Sequence, residues 1–416
     1  MGLKERISLK FAILYIMIFY NVVVYPQMHF LVLAIFWIVL VIILNANIFF
    51  PLVLAVAGKY APKKKISGHH QPPVTVIVAA YNEEKVIAQR IENILAQNYD
   101  RSKLEIFIGS DASSDGTNEI IRSYANKYSN VRAFIFDRRR GKSFQLNDMV
   151  PQASHQIIVF SDANTVFQSD AIQKMVQHFE DNQVGGVCGQ LVLTNNNEES
   201  DKGVKEKLYW SIETFLKTNE GKFGMVMGAN GGIYAIRKEL FMPIHTNPPA
   251  GDDISTGLQV IRQGFKLIYE ADAIGIEVVG KNTMAEYRRK TRIAALGFGV
   301  ILYFHSLLFN KNLFLSYLFW SHRVTRWFLS HLLIVLFVTS FILSFDNTLI
   351  RHFTLLQITF YLFAFIGYLL SKFDINISIF STPFYFVLMN VAFFKGFNQF
   401  LKKKYSLAWE ATERLT

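Results

Sequence analysis

A long stretch without charged side chains constrains this sequence more than any other feature. Residues 11–58 contain no Asp, Glu, Lys or Arg. One membrane-spanning helix needs about 20 apolar residues, so the stretch is long enough for two. A short polar break at 26–29 separates the predicted spans, which lie near 8–25 and 30–57. We therefore expect residues 1–58 to form two transmembrane helices.

Basic residues flank both predicted spans, which predicts that both flanks are cytoplasmic. Before the first span they are Lys4, Arg6 and Lys10, and after the second they are Lys59, Lys63, Lys64 and Lys65. A cleaved signal peptide is the alternative for residues 1–25. We consider it the weaker interpretation, because no small-residue cleavage site follows and a second apolar run begins directly.

The C-terminal part of the chain is also apolar. Residues 328–345, 348–371 and 375–397 are predicted to be about three further spans within 328–397. The preceding segment, 293–327, is aromatic and apolar but is interrupted by Lys311, Arg323 and Arg326. This pattern indicates helices that lie in the membrane interface.

The predicted number of spans conflicts with the charge of the C-terminal tail, 398–416. Two spans before the middle region and three after it put the tail outside, whereas Lys402, Lys403 and Lys404 favour the cytoplasm. Either 293–327 or a late segment is miscounted, or the tail lies on the membrane surface.

The composition agrees with an integral, multi-pass membrane protein. Apolar residues make up 51% and charged residues 18%, against about 25% charged residues in soluble proteins. The net charge of +11 suits nucleic acid, a membrane surface or a phosphate-bearing substrate. Residues 1–70 hold seven Lys and Arg against one acid, Glu5, so much of the excess borders the membrane. This favours membrane lipid as a partner and argues against nucleic acid.

The middle of the chain, 74–292, has the composition of a soluble domain and follows a basic, proline-containing linker at 59–73. Strands are predicted at 74–80, 104–108, 131–136 and 156–160. Two helices are predicted. The first begins after Asn82, which would cap it, and has Glu83 and Glu84 in its first turn. The second covers 117–128. Such alternation is typical of an α/β fold with a mainly parallel sheet, in which ligands bind at the carboxyl ends of the strands.

Polar residues follow each of the four predicted strands. The groups that could do chemistry are Tyr81 and Glu83, Asp111 and Asp115, Arg138 to Arg140 with Lys142, and Asp162 with Asn164. Carboxylate and amide oxygens are ligands for Mg²⁺ or Mn²⁺, and cations bind phosphates. The set fits a nucleoside diphosphate with a divalent ion, although each motif alone is also common in capping turns and solvated loops. A P-loop at Lys142 is excluded because Phe136 stands where that motif needs glycine.

Three later motifs complete the candidate site. The loop 228–232, with Gly228 and Asn230, would let a ligand approach the backbone closely. Asp252 and Asp253 precede a predicted helix, where one carboxylate could raise the pKa of the other, or both could simply cap the helix. The basic run 288–292 could clamp a pyrophosphate or bind anionic lipid.

Taken in order, these motifs resemble the membrane-embedded branch of the family 2 glycosyltransferases, the relatives of cellulose, hyaluronan and poly-N-acetylglucosamine synthases. The resemblance covers about 74–300 together with the arrangement of apolar segments. It rests on 76–83, 110–117, Gly141-Lys142 with Asn147, Asp162-Ala163-Asn164, 228–232, Gly251-Asp252-Asp253 and 289–293.

The resemblance implies a GT-A type nucleotide-sugar-binding domain on the cytoplasmic face of a bacterial plasma membrane. It assigns Tyr81, Glu83 and Asp111 to the nucleoside pocket, Lys142 to the uracil or diphosphate, and Asp162 with Asn164 to the metal. Asp253 would be the catalytic base, and Arg289 and Arg292 would meet the diphosphate. The implied reaction is inverting, metal-dependent transfer of a sugar from a nucleotide sugar, expected to be a UDP-sugar.

Two departures from the family pattern affect this interpretation. Asn164 replaces the second acid of the metal motif, and the segment Arg289-Lys290-Thr291-Arg292-Ile293 lacks the family's Gln and Trp. The main hypothesis is extension of a surface polysaccharide, with secretion through the protein's own helices. The alternative that the missing Trp favours is transfer of a single sugar to a lipid acceptor. A scaffold with an inactive transferase domain, and an accessory subunit as partner, are also left open.

Overall fold

The computed structural model describes residues 25–61, 68, 70–194, 201–278 and 283–405. The predicted first span near 8–25 and most of the basic tail lie outside the described residues. The chain divides into two compact units. Of the described residues, the smaller unit combines 25–49 with Phe328–Asn390, and the larger combines those of 50–327 with 391–405.

The larger unit is built on an eight-stranded sheet in the order β3-β2-β1-β4-β7-β6-β8-β5. The strands are β1 Val74–Ala80, β2 Leu104–Asp111, β3 Val131–Phe136, β4 Ile157–Asp162, β5 Thr165–Phe167, β6 Val184–Thr194, β7 Tyr234–Arg237 and β8 Lys266–Val278. The first four strands of the chain are parallel, as are β6 and β8, whereas β7 and β5 run antiparallel to their neighbours. The predicted α/β class with a mainly parallel sheet is confirmed.

The helices of the described residues are α1 Tyr25–Leu44, α2 Phe50–Ala57, α3 Ile87–Leu95, α4 Thr117–Lys127, α5 Lys142–Met149, α6 Ala171–Val176, α7 Asp201–Gly221, α8 Asp252–Arg262, α9 Thr283–Tyr303, α10 Leu313–Leu318, α11 Thr325–Trp327, α12 Leu329–Leu343, α13 Thr348–Ser371 and α14 Ser378–Leu401. The main core lies between the sheet and its helices. In α3, Ile87, Ile91 and Ile94 repeat at helical spacing and are fully buried against the sheet.

The helix predicted to begin after Asn82 begins instead at Ile87. Asn82 has a φ of 51°, in the left-handed region, whereas an N-cap residue takes an extended conformation. Its side-chain oxygen accepts from the Ser114 amide (2.9 Å), and its own amide donates to Ser113 Oγ (3.0 Å). The prediction was wrong because the Asn82 side chain binds the neighbouring β2–α4 loop, which no local pattern reveals.

In the smaller unit α12 packs against α1 and α13. A small apolar core lies between these helices, formed by Phe36, Val39, Leu336, Leu343 and Ile350. Most other large apolar side chains of these helices are exposed. Helices that are apolar on all sides are typical of membrane spans.

Among the described residues, three helical stretches are long and apolar enough to cross a membrane: Gln27–Ala57, Thr348–Ser371 and Ser378–Leu401. A fourth is present if the interrupted pair Leu313–Trp327 and Leu329–Leu343 counts as one span. Alone, the 15 residues of α12 extend only about 22 Å, less than the roughly 30 Å of a hydrocarbon core. The predicted span at 328–345 therefore corresponds to a helix that is too short to cross by itself.

The end of α14 belongs to the larger unit. Phe397 and Phe400 contact the ring of Phe298 in α9, with centroids 4.8 and 6.2 Å apart. Beyond α14, Tyr405 Oη donates to Asn247 Oδ1 at 3.3 Å. The chain therefore leaves the larger unit after Trp327 and returns to it before residue 397.

Candidate active site

The carboxyl ends of β1, β2 and β4 lie side by side in the sheet. Ala80 is in register with Ser110 of β2, and Ala79 is in register with Asp162 of β4. The residues that follow these strands therefore meet at one edge, as expected for ligand sites in open α/β sheets.

Lys142, the first residue of α5, joins two of the predicted acidic motifs. Its Nζ lies 2.6 Å from Asp162 Oδ1 and 2.9 Å from Asp252 Oδ2, and it donates to the Gly231 carbonyl at 3.5 Å. Burial alone would lower the pKa of Lys142, but the charges of Asp162 and Asp252 hold that pKa well above its ordinary value. The site thus contains a fixed ammonium group between two carboxylates.

Asp111 holds the loop that carries Lys142. It is 1% exposed, its Oδ1 accepts from the Arg140 amide (3.0 Å), and its Oδ2 accepts from the Gly141 amide (2.7 Å). Gly141 has a φ of 95°, which favours glycine at this turn. In this structure Asp111 sets the start of α5 and so the position of the Lys142 side chain.

Asp253 is half-buried in the first turn of α8. A Cβ added to Gly231 would lie 3.3 Å from Asp253 Oδ2 and 3.6 Å from Asp162 Oδ2, so both carboxylates border this glycine. Burial and the charge of Asp252 raise the pKa of Asp253 to about 6, against the opposing charge of Lys142. The predicted influence of Asp252 is present, but burial is the larger cause.

The glycine-rich loop supports the site through its backbone. Gly228 has a φ of 122°, a conformation that L side chains rarely adopt. Asn230 is buried: its Nδ2 donates to the Gly189 carbonyl (2.7 Å), and its Oδ1 accepts from Lys217 Nζ (2.5 Å). The side chain of Asn230, which we predicted to bind substrate, is thus engaged in holding the loop.

The two arginines of α9 have different surroundings. Arg292 is half-buried, and its partial removal from water lowers its pKa, while the charges of Asp252, Asp162 and Asp253 oppose that shift. Arg289 instead donates to Glu286 of its own helix through Nε (2.7 Å) and Nη2 (3.0 Å). Arg292 is therefore electrostatically linked to the acidic cluster, whereas Arg289 forms a local pair.

Tyr81 and Glu83 lie in the turn after β1. The Arg139 guanidinium stacks over the Tyr81 ring, 3.8 Å from its centroid, and the amide of the buried Glu83 donates to Thr117 Oγ1 at 2.8 Å. This turn and the β2–α4 loop are bonded to each other, as Asn82 also indicates. The structure brings these residues together separately from the group around Lys142.

The predicted metal pair contains one carboxylate and one amide. Asp162 is paired with Lys142, and Asn164 Nδ2 donates to Glu277 Oε1 at 2.7 Å. Within the described ranges, no group of three or more His, Cys, Asp or Glu is arranged to hold a metal ion. Mg²⁺ in nucleotide enzymes is commonly held by one or two carboxylates with substrate phosphates, and Asp162 fits that manner of binding.

Sequence reasoning missed Arg90, which is 1% exposed behind the end of β4. Its Nη2 donates to Ser161 Oγ at 2.7 Å, and its guanidinium lies 4.0 Å from the centre of the Phe167 ring. Burial lowers the pKa of Arg90 to about 9, against the opposing charge of Asp162. A signal was available, because Arg90 falls on the same face of α3 as Ile87 and Ile91.

Comparison with known proteins relates the chain to glycosyltransferases. Residues 75–244 match the model of the family described as Glycosyl transferase family 2. This segment belongs to that family. It contains β1 to β4, Asp111, Lys142, Asp162 and the glycine-rich loop.

The chain is also similar to curated relatives and to a solved structure over more residues than this family 2 domain. The chain is 27% identical over 274 residues to the poly-β-1,6-N-acetyl-D-glucosamine synthase of Staphylococcus aureus strain COL, covering 65% of this chain and 64% of the relative. It is 25% identical over 306 residues to the synthase of the same name from Staphylococcus epidermidis, covering 73% and 72%. The fold resembles the mannosyltransferase PcManGT of Pyrobaculum calidifontis, solved with GDP-Man and Mn²⁺, with a TM-score of 0.62, 21% identity, and 89% and 99% of the two chains covered.

Proposed function

We propose that this protein is an inverting membrane glycosyltransferase that adds sugars from a UDP-sugar to a growing surface polysaccharide. The observation that carries the proposal is the convergence of Lys142, Asp162, Asp252 and Asp253 around Gly231 at the carboxyl edge of the sheet. The apolar helices would anchor the protein in a membrane, and the product would pass through them.

In the proposed reaction an acidic residue activates the acceptor and basic residues bind the leaving group. Asp253, ionised above pH 6, removes the proton from an acceptor hydroxyl as its oxygen attacks the anomeric carbon. The bond from that carbon to the diphosphate oxygen breaks, and UDP leaves with the electron pair. Lys142 and Arg292 are the cations that would bind the leaving diphosphate.

A divalent metal fits this site as a partner of the diphosphate. Asp162 would hold it, with the Asn164 carbonyl oxygen as a neutral second ligand, and it would stabilise the charge that develops on the leaving group. A single carboxylate makes a weak site by itself, so we expect metal and nucleotide to bind together.

Two observations support a polysaccharide as acceptor. The curated relatives are synthases of a polymeric sugar, and the match extends over 274 residues, well beyond the family domain. The absence of Trp from Arg289-Lys290-Thr291-Arg292-Ile293 favours the second candidate, transfer of one sugar to a lipid. Only the product distinguishes these two acceptors.

The test is UDP release by the purified full chain in nanodiscs, with a panel of UDP-sugars and with Mg²⁺, Mn²⁺ or chelator. Asp253→Asn should abolish release while nucleotide binding remains. Asp170→Asn is the matched control, because Asp170 lies in a surface pair with Lys174 and should be dispensable.

Each outcome decides between the candidates. Metal-dependent release and a product of high molecular weight on a gel would support the synthase. A single band with lipid mobility would support transfer to a lipid. Equal activity of Asp253→Asn and the wild type would refute the assigned base, and no release with any donor would favour an inactive scaffold.

A further inference from the structure

A buried ion cluster lies beside the glycine-rich loop but outside the proposed catalytic groups. His322 is fully buried between two glutamates of α7, with Nδ1 2.6 Å from Glu220 Oε1 and Nε2 3.3 Å from Glu213 Oε2. Glu213 is also 2.9 Å from Arg326 Nη1 and 3.6 Å from Arg323 Nη2. The cluster joins α7 to the helical segment 319–327 within the larger unit.

The cluster holds both backbone polar groups of Met227, the residue before Gly228. The Met227 amide donates to Glu220 Oε2 at 3.0 Å, and the Met227 carbonyl accepts from Arg323 Nε. Charged partners give hydrogen bonds that are about twice as strong as neutral ones, and these two fix the peptide from both sides.

Helix α7 and the segment 319–327 also contact other residues of the glycine-rich loop. Lys217 of α7 donates to the Ala229 carbonyl at 3.3 Å as well as to Asn230. A Cβ on Gly228 would lie only 3.0 Å from Arg323 Nη2. Gly231, two residues after Ala229, borders Asp253 and Asp162. A shift of this ion cluster would therefore reach the acidic site through a continuous run of backbone.

Stability alone is a weak explanation for such a cluster. Replacing buried ion pairs with apolar residues is often neutral or stabilising, so packing does not require charges here. A half-buried His–Glu pair, His178 with Glu270 at 2.5 Å, joins the turn after α6 to β8. The buried ion cluster differs from this pair because Glu220 and Arg323 are hydrogen-bonded to Met227.

Resting on the proposed function, we infer that Glu220 and Arg323 are positioning residues for sugar transfer. They hold Met227 to Gly231 in register with Asp253 and so link the catalytic loop to the segment that leads into the apolar helices. They touch neither donor nor acceptor, and they act only through the geometry of the loop.

The first test measures loop order directly by hydrogen exchange of the full chain in detergent. Glu220→Leu should speed amide exchange in peptides covering 225–233, while peptides of β1 to β3 stay unchanged. Glu220→Gln should leave exchange close to wild type, because an amide oxygen can still accept from Met227. Glu270→Gln is the control for the change of a half-buried His–Glu pair elsewhere in the larger unit. Equal exchange in the leucine variant and the wild type would overturn the inference.

The second test separates kcat from KM in UDP release. A displacement of about 1 Å can cost roughly 100-fold in rate, so Glu220→Leu and Arg323→Leu should lower kcat by about 10- to 100-fold. The donor KM should remain within about twofold, and Glu220→Gln should restore most of kcat. An equal loss in Glu220→Gln and Glu220→Leu, or a change in KM alone, would overturn the positioning role. Failure of the wild type to release UDP would refute the proposed function, whereas the exchange test would still decide the loop contact.

Discussion

At the residue scale, the site consists of carboxylates whose charges depend on one ammonium group. Lys142 contacts Asp162 and Asp252 directly and lowers the raised pKa of Asp253 without cancelling its shift. Small changes in this balance should therefore appear both in the pH dependence of the rate and in cation binding.

The raised pKa of Asp253 predicts a rate that depends on pH near neutrality. A base acts only when ionised, so kcat/KM should rise about tenfold per pH unit below pH 6 and level off above it. Asp252→Asn removes a neighbouring negative charge and should move the inflection to lower pH. UDP release measured from about pH 4.5 to 8 checks both statements. A flat profile, or an inflection that rises in Asp252→Asn, would contradict the assignment.

The contact of Lys142 with Asp162 predicts competition with a divalent cation. An ammonium 2.6 Å from the carboxylate repels a metal that approaches the same oxygens, so the protein without nucleotide should bind Mn²⁺ weakly. Lys142→Met should strengthen Mn²⁺ binding by roughly tenfold or more while it weakens binding of UDP. Electron spin resonance of free Mn²⁺ measures the first effect.

Lys174→Met is the matched control for this experiment, because Lys174 pairs with Asp170 on the surface. Its affinity for Mn²⁺ should equal that of the wild type. Unchanged Mn²⁺ affinity in Lys142→Met would mean that Asp162 does not receive the metal.

At the element scale, the glycine-rich loop must approach α8 and β4 closely. Gly231→Ala would put a methyl group 3.3 Å from Asp253 Oδ2, closer than most Cβ contacts. We expect a fall in kcat of about tenfold or more, because a shift of the loop displaces the base. The melting temperature should change little, since the distance demands a displacement of only a few tenths of an ångström.

Gly264→Ala is the contrasting change for that prediction. Gly264 has a φ of 87°, and no atom lies within 4 Å of an added Cβ. The left-handed conformation should cost about 1 kcal/mol of stability with kcat unchanged. Thermal unfolding and UDP release measured on both variants separate strain from site geometry. Equal kcat values for the two alanine variants would contradict the role of Gly231.

At the scale of the whole molecule, the contacts of residues 397–405 help to predict the side of the membrane on which the chain ends its last helix. The segment Phe50–Trp327 and the residues from Val391 onward belong to the same unit, and Phe397 and Tyr405 contact its α9 and its 244–250 loop. If that unit lies on one side of a membrane, the chain crosses an even number of times between them. The hairpin of α13 and α14 supplies two crossings, which would leave α12 as part of a re-entrant segment.

This arrangement predicts which side each loop faces. Single cysteines can be introduced at exposed positions, because the native Cys188 is buried. Tyr60→Cys and Lys404→Cys should react with an impermeant thiol reagent from the same side, and Phe373→Cys from the opposite side. Labelling of Tyr60→Cys and Lys404→Cys from opposite sides would refute the even number of crossings, and labelling of Lys404→Cys and Phe373→Cys from one side would refute the crossing by α14.

The sequence by itself determined the elements whose cause is local. The β-branched run of β1 and the amphipathic repeat of α4 specify those elements to within a residue. The apolar stretches specify helices that can span a membrane, because length and hydropathy are local quantities. The motif at Asp162, which ends β4, likewise indicated the edge of the sheet at which polar residues meet.

Only the tertiary structure decided which side chains share a partner. Asn82 bonds to a loop more than 30 residues away, so the helix begins at Ile87, and Arg292 of α9 is linked electrostatically to Asp162, Asp252 and Asp253. The bond of Arg323 to Met227 joins residues 96 positions apart, and Glu220, which also bonds to Met227, is paired with His322, 102 positions further along the chain. Such contacts depend on the distances that packing sets between distant segments, and no periodicity or spacing along the chain encodes them.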